Sequence, residues 1–376
     1  MRAIAAFPSE KKLSLVDRPS PRIERDTDVR LRMLEIGICG TDREIARFEY
    51  GRPPANEPYL VMGHESLAQV AEVGKAVSQV KVGDLVVPTV RRPCGTPECL
   101  PCRFGRQDFC RTGKYTERGI NGRHGFMTEE VIEDESNLHL VPHSIADIAV
   151  LTEPLTIAEK GIIEVGHILA RLPWLATLAD HGRSLLPKRR GLVLGAGPVG
   201  LLGALALAVR GLDTWVYSRE SATSDKAAWV EGIGAHYLSS QDVPADALAE
   251  RLGFLDLIYE ATGSAVLPFV AMRALSTSGI FIFTGVPGHK EALTIDTQRL
   301  MRDLVLKNQV LYGTVNAGPD AFDAAIADLV QFKARWPDQV KQLLTARFAP
   351  ESFEVPLTGP QTGIKNVIRF AEAERS

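Results

Sequence analysis

The sequence predicts an α/β chain of two domains, a β-rich one and a doubly wound parallel sheet. Three observations carry that expectation. The 376 residues exceed what a single compact core usually holds. From about residue 156 to 313, short apolar strands alternate with helical patterns, the order of βαβ units. Before residue 156 the chain is instead rich in Gly, Pro and short alternating strands.

Taken in order, DVRLRMLEIGI, LAQVAEVG and VGDLVVPTV read as strands of the β-rich domain. HILARLPWLATLADHGRSLLPKRR, residues 167 to 190, reads as a partly helical connector. Leu192 to Leu194 form a short buried strand, and residues 198 to 210 carry a long apolar helical pattern. TWVYSRES is the second strand of the parallel sheet. FLDLIYEATG and SGIFIFTGV follow, separated by the helical spacing of LPFVAMRALS, and SGIFIFTGV reads as the sheet's last strand. After residue 313 come a helix, GPDAFDAAIADLVQFKARW, and a tail ending NVIRFAEAERS. The domains expected are therefore residues 1–155 with 314–376, and residues 156–313.

Composition excludes several classes of partner. At 45% hydrophobic, 24% charged and a formal charge of -3, the chain has no built-in attraction for nucleic acid or anionic lipid. No stretch approaches the roughly 18 uninterrupted apolar residues of a membrane span, and the N-terminus MRAIAAFPSEKKLSL lacks an apolar signal core. A cytoplasmic protein is expected. In a reducing compartment, five cysteines of which four are clustered argue for a metal site rather than a disulfide framework.

Those four, Cys94, Cys99, Cys102 and Cys110, lie in the lobe 94–110 with the spacing C-x4-C-x2-C-x7-C. Four thiolates on a short irregular loop close a tetrahedral shell around zinc and leave no position for substrate, so this zinc is structural. Cys39 stands apart in GICGTD, and His64 and Glu65 stand together in VMGHES. A thiolate, an imidazole and a carboxylate suit a catalytic zinc with one open position. On spacing alone, a buried Cys and a structural His remain the competing reading.

The stretch LVLGAGPVGLLGALALAV places Gly195-x-Gly197-x-x-Gly200 directly between strand and helix. That order is a dinucleotide-binding turn: Gly195 makes the turn, Gly197 lets the pyrophosphate approach, and Gly200 lets the helix pack, with Pro198 and Val199 opening the helix. The second strand ends in Ser218, Arg219 and Glu220, where the adenosine ribose is met. Arg219 beside Ser218 favours NADP, and Glu220 leaves use of NAD open. A solvated surface charge is the competing reading of Arg219. Thr262, Thr284 and Val286, after the later strands, complete the expected cofactor set.

Jointly, GICGTD, GHE, the four-cysteine lobe and GAGPVG resemble the zinc-containing medium-chain dehydrogenases, in order and over nearly the whole chain. Within them CGTDREI, VPTVRRPC, GRQDFC, ERGINGRHGFM, LTEPLTIAEK and GTVNAGP resemble the glucose (aldose) 1-dehydrogenase branch. The resemblance implies a GroES-like β-rich catalytic domain, to which the C-terminal tail returns, plus a Rossmann nucleotide-binding domain. It implies one catalytic and one structural Zn2+ per subunit, with Cys39, His64 and Glu65 at the catalytic ion and Glu153 of LTEPL where alcohol-oxidising relatives carry a third cysteine. Glu65 is either a direct ligand or a partner behind the ligands. Sugar contacts are implied for Glu117, Asn316 and His124. One departure is that relatives can carry Asn before the lobe, where this chain has Thr89 and Val90.

The implied reaction is oxidation of an aldose, D-glucose first, at C1 to the lactone, with hydride passing to NADP or NAD. Thr41 is placed to take the hydroxyl proton, and Glu44 stands where relatives often complete a relay with His. A polyol or secondary-alcohol dehydrogenase on the same scaffold is the second reading. A zinc-binding protein without catalysis is the third. A homodimer or homotetramer is expected by resemblance, with the edge of the nucleotide sheet covered. No nucleic-acid or membrane partner is expected.

Overall fold

The computed structural model describes residues 1–174, 189–288 and 294–373. Much of the connector at 167–190 thus lies outside the described residues; its first residues end the helix Thr152–Leu169. The chain divides into two units, Met1–Thr156 with Asn316–Lys333 and Val340–Ser376, and Ile157–Val315 with Ala334–Gln339.

The first unit is built on a mixed sheet whose middle is Asp28–Gly37. That strand pairs antiparallel with Glu65–Val73, Glu130–Asp134 and the C-terminal strand Lys365–Arg369. Outward from these lie Leu85–Pro88 and Leu138–Val141 on one side and Leu344–Phe348 on the other. Val29, Leu31, Met33 and Ile36 along the central strand are fully buried. A pleated strand covered on both faces reads as a near-continuous apolar run, which DVRLRMLEIGI only partly shows. The tail NVIRF therefore ends as an interior strand, placed in register by Val367 opposite Gly37 and Ile368 opposite Ile36.

A small sheet of Arg91–Arg92, Thr116–Arg118 and Gly122–Arg123 follows the main sheet. It is tied to the main sheet through Glu133, which is 1% exposed. Arg118 Nε donates to Glu133 Oε1, and Arg92 Nη2 lies 2.8 Å from the same oxygen. The arginines are satisfied further by backbone: Arg118 Nη2 donates to Ile132 O at 2.8 Å and Arg92 Nη1 to Thr89 O at 2.9 Å.

The second unit carries a six-stranded sheet in the order His236–Ser239, Asp213–Ser218, Arg190–Leu194, Leu255–Glu260, Leu275–Phe283, Val310–Gly313. All five pairings are parallel. Strand order reverses between Arg190–Leu194 and Leu255–Glu260, the switch point where doubly wound sheets bind ligands. The helix Pro198–Val209 starts with Pro in its first turn and buries Leu201, Leu202, Leu205 and Leu207. One expectation is corrected. SGIFIFTGV is not the last strand, because Val310–Gly313 adds outside it. That four-residue strand follows the polar run Lys307–Gln309, with Asn308 in the left-handed region, and reads as loop from sequence.

Burial works against the charge of Glu133, but Arg118, Arg92 and Arg123 outweigh it and hold the carboxyl below its usual range. A depressed folded value means that this stabilisation is complete above the unfolded carboxyl pKa of about 4.3 and is lost as pH falls through the folded value. Glu133→Gln leaves guanidinium groups buried without their counter-charge and is expected to cost about 3 kcal/mol or more of unfolding free energy at pH 7. Denaturant unfolding followed at pH 7 and pH 4 checks both statements: the gap between wild type and variant should narrow at the lower pH.

Candidate active site

The sheet geometry brings the isolated cysteine to the GHE segment. Cys39 caps the helix Gly40–Ala46 just after the central strand ends, and Glu65 sits opposite Gly37 on the neighbouring strand. One ligand atom each from Cys39, His64 and Glu65 lies within 4.8 Å of the others. Gly37 is required here, since a Cβ on it would stand 2.2 Å from Glu65 Oε2.

Behind the imidazole lies Asp42, wholly buried. Its Oδ2 accepts from Cys39 N at 2.9 Å, and its Oδ1 is 3.5 Å from His64 Nδ1. At that length and alignment the contact is one of charge rather than a hydrogen bond, and neither atom has a hydrogen-bond partner among the described residues. With Nδ1 turned to a carboxylate, the ring keeps Nε2 for a metal, the arrangement that orients metal-binding histidines. Burial lowers the His64 pKa, but Asp42 and Cys39 outweigh it and hold the group well above its ordinary value.

Glu65 is held by the C-terminal strand. Lys365 Nζ donates to Oε1 at 2.7 Å and to Oε2 at 2.6 Å, and also to Ile38 O at 3.1 Å. Glu153, in the first turn of Thr152–Leu169, is also buried. Burial raises its pKa to about 7, with His64 pulling it down and Glu65 pushing it up. Three carboxylates and a thiol thus share this buried corner with one ammonium and one imidazole. The shortage of positive charge, together with the soft thiolate and the imidazole, fits a zinc ion.

The lobe cysteines also meet. Ligand atoms of Cys94, Cys99, Cys102 and Cys110 lie within 4.8 Å of one another, and Cys99 and Cys110 sulfurs are 3.9 Å apart. All five cysteines are free thiols. Hydrogen bonds from Thr112 and Thr96 pull the Cys94 thiol down, whereas burial pushes Cys102 up. An all-sulfur set of this size fits a closed structural zinc.

Of the expected sugar contacts, Glu117 is nearly buried on Thr116–Arg118. Arg91 donates to its Oε1 from Nε at 3.1 Å and from Nη2 at 3.0 Å, which leaves Oε2 for a ligand. Arg91 also lies over the Tyr115 ring at 3.7 Å. Asn316 adopts φ 56°, and its buried Oδ1 has no hydrogen-bond partner among the described residues. His124 is engaged: Nδ1 accepts from Val61 N at 3.1 Å, and the ring stacks on Tyr59. Burial, then Arg18 and Arg118, lowers it to about 4, so it is neutral and keeps only Nε2 for a ligand. Thr41 and Glu44 lie on the helix that Cys39 starts, Thr41 half-buried and Glu44 exposed.

In the second unit the glycine turn has the form its spacing implies. Gly195 has φ 105°, nothing lies within 4 Å of a Cβ built on Gly197, and one on Gly200 would stand 2.1 Å from Gly195 O. Gly197 caps the helix Pro198–Val209 without a side-chain bond, so the helix N-terminus is free for phosphate. At the ribose end, Ser218 Oγ donates to Glu220, and Lys226 Nζ donates to Glu220 Oε1 at 2.6 Å. Arg219 is exposed, and its backbone O accepts from Gln241 Nε2 at 2.8 Å. Glu220 is thus already neutralised by Lys226, and Arg219 carries the open positive charge. Thr262 and Val286 are exposed and Thr284 half-buried, in the loops after the two strands beyond the switch point.

Four residues of this geometry escape sequence reading. Asp42 was within reach, since Cys39 and Asp42 have the spacing of a helix-capping pair. Lys365 stands 300 residues from Glu65, and Arg91, an ordinary surface type, pairs with Glu117 from 26 residues away. Lys226 meets Glu220 across a turn and looks like any helix-surface lysine.

Residues 25–143 match the alcohol dehydrogenase GroES-like domain, and residues 146–370 match the glucose dehydrogenase C-terminus. The glucose 1-dehydrogenase of Methanocella arvoryzae is 38% identical over 373 residues, 98% of this chain and 99% of the relative. That of Thermoproteus tenax is also 38% identical over 373 residues, with the same coverage. The structure of Haloferax mediterranei glucose dehydrogenase in complex with NADP, Zn and gluconolactone covers 99% of this chain and 100% of its own, with TM-score 0.85 and 30% identity.

Two outcomes test these placements. Metal analysis should find two zinc ions per chain, falling to one in Cys39→Ser and to one in Cys94→Ser, with only the latter loss lowering the melting temperature markedly. Gly200→Ala should weaken nucleotide binding about tenfold or more, equivalent to ~1.4 kcal/mol, measured by calorimetric titration with NADP.

Proposed function

Since this chain belongs to the zinc-containing medium-chain dehydrogenases, and among them to the glucose dehydrogenases, we propose that the residues gathered above carry that family's reaction here. The protein is a zinc sugar dehydrogenase that oxidises an aldose at C1 to the aldonolactone with NADP as hydride acceptor. The observation that supports the assignment of its centre is the Cys39, His64 and Glu65 cluster, with a half-buried thiol beside a buried imidazole and carboxylate, short of positive charge and backed by Asp42. Residues 1–155 and 314–376 supply the catalytic part, and 156–313 hold the cofactor.

Cys39 and His64 would hold the catalytic ion, with Glu153 or Glu65 as the carboxylate, and Cys94, Cys99, Cys102 and Cys110 the structural one. When bound, zinc supplies a Lewis acid that lowers the pKa of a hydroxyl, and NADP supplies the hydride acceptor. Every other task falls to the chain. Glu117, through Oε2, and Asn316, through an Oδ1 with no hydrogen-bond partner among the described residues, accept sugar hydroxyls, and Arg91 fixes Glu117 in place. His124, whose Nδ1 accepts from Val61 N, carries its proton on Nε2 and offers it as a donor to a sugar oxygen. Thr41 takes the C1 hydroxyl proton and passes it toward Glu44, whose exposure opens the route to water. Gly195, Gly197, Pro198, Val199 and Gly200 cradle the pyrophosphate, Ser218 and Arg219 meet the 2′-phosphate, and Thr262, Thr284 and Val286 line the nicotinamide side.

Among the described residues no helix is long and apolar enough to cross a membrane. We place the protein in the cytoplasm, a reading its five free thiols support. We also assign it a homodimer. The half-buried strand Val310–Gly313, outermost in its sheet among the described residues, and the helix Thr297–Leu306, with Met301 64%, Val305 72% and Leu306 63% exposed, support an apolar face for a second copy.

Initial rates of nicotinamide reduction with glucose, galactose, xylose, sorbitol and a secondary alcohol test the reading. Aldose oxidation with NADP is expected, and activity confined to the polyol or alcohol overturns the sugar assignment. Thr41→Ala should lower kcat by about 100-fold with little change in the KM for NADP. Arg219→Ala should raise the KM for NADP by about 10- to 100-fold and leave that for NAD nearly unchanged, the loss of one charge-assisted contact.

A further inference from the structure

Glu260 ends the strand Leu255–Glu260 and is 1% exposed. Its Oε1 accepts from Thr262 N at 2.6 Å, Thr262 Oγ1 at 2.6 Å and Gly263 N at 2.9 Å. Its Oε2 accepts from Gly285 N at 3.0 Å, in the loop after the next strand. Its backbone O accepts from Thr284 N at 3.1 Å and Thr284 Oγ1 at 2.6 Å. One residue therefore fastens both loops.

The loops meet backbone to backbone. A Cβ on Gly285 would stand 2.3 Å from Gly263 N and 2.7 Å from Glu260 Oε2, and one on Gly195 would stand 3.0 Å from Thr262 Cγ2. The same assembly thus abuts the phosphate turn. Both loops emerge at the carboxyl end of the sheet, beyond the switch point, on the half opposite Asp213–Ser218 and its ribose-end residues. In a sheet of two mononucleotide-binding halves, that half receives the nicotinamide.

We propose that Glu260 is a positioning residue for the nicotinamide half of NADP, holding the 261–264 and 284–286 loops in the spacing that half requires. The inference rests on the cofactor reading above. A carboxylate suits the task because it only accepts, and every group it faces here is a donor. Glutamine has the same size but brings an N–H pair. With its one carbonyl oxygen turned to Thr262 and Gly263, its amino group meets the Gly285 N–H, and the second loop is released.

The test separates the two halves of the cofactor in zinc-loaded full-length protein. NADPH binding is followed by its fluorescence, and 2′,5′-ADP, which lacks the nicotinamide, by calorimetry. Glu260→Gln should weaken NADPH about tenfold or more while 2′,5′-ADP changes less than twofold. Gly285→Ala, which forces the loops apart without touching the carboxylate chemically, should show the same selective loss, and it reads the proposal if Glu260→Gln does not fold. Equal loss with both ligands, or no loss with either, overturns the positioning role alone. Wild-type protein that binds 2′,5′-ADP and not NADPH, or neither, overturns the cofactor reading and this inference with it.

Discussion

The buried ion pair between Glu65 and Lys365 is the constraint from which the catalytic corner is built. Both side chains are 3% exposed or less, so neither charge has water to turn to. Removing one partner of such a pair costs about 3–5 kcal/mol, because the other is left uncompensated. The pair therefore fixes where the C-terminal strand Lys365–Arg369 lies against Asp28–Gly37. A one-residue slip would carry Lys365 to the other face of the sheet and strand the carboxylate. Gly37 completes the constraint from the opposite side by leaving room for Glu65 Oε2.

From that corner the rest of the first unit follows by charge matching. Asp42 orients His64, and Arg91 orients Glu117. Arg118 and Arg92 converge on Glu133 and so tie the small sheet that bears Glu117 to the main sheet. Each of these carboxylates is nearly buried, and each acts on a neighbour through a named donor or cation. The expected ligands are thereby held in rotamers they would not keep in solvent, which is what metal and sugar recognition require.

How much of this could be read from the chain depends on the distance over which each feature is encoded. Gly195, Gly197 and Gly200 and the four lobe cysteines act within 6 and 17 consecutive residues, and the structure has them as their spacing implies. Strands whose burial is written in a local apolar run, such as Leu192–Leu194 and SGIFIF, were equally readable. Val310–Gly313 was missed because an edge strand of four residues has no burial pattern to betray it. Lys365, Arg91 and Glu260 were missed for another reason. Their types are common, and the partners that give them meaning, Glu65, Glu117 and, for Glu260, Gly285, are brought near only by the folded sheets.

The site residues Glu65 and Glu117 of the first unit and Glu260 of the second are carboxylates removed from water that are satisfied in different ways. In the first unit the partners are cations on long side chains: Lys365 for Glu65, Arg91 for Glu117. Such partners supply a compensating positive charge, which suits a site that must balance carboxylates around a metal and a sugar. In the second unit Glu260 is satisfied largely by backbone N–H groups, which cannot leave without moving the chain that carries them. A cofactor site needs a fixed frame more than an adaptable charge, because binding geometry off by about 1 Å is enough to cost a large factor in rate. The choice of partner, side-chain cation or main-chain amide, thus follows the task at each site: charge balance where chemistry occurs, a fixed frame where the nucleotide must lie.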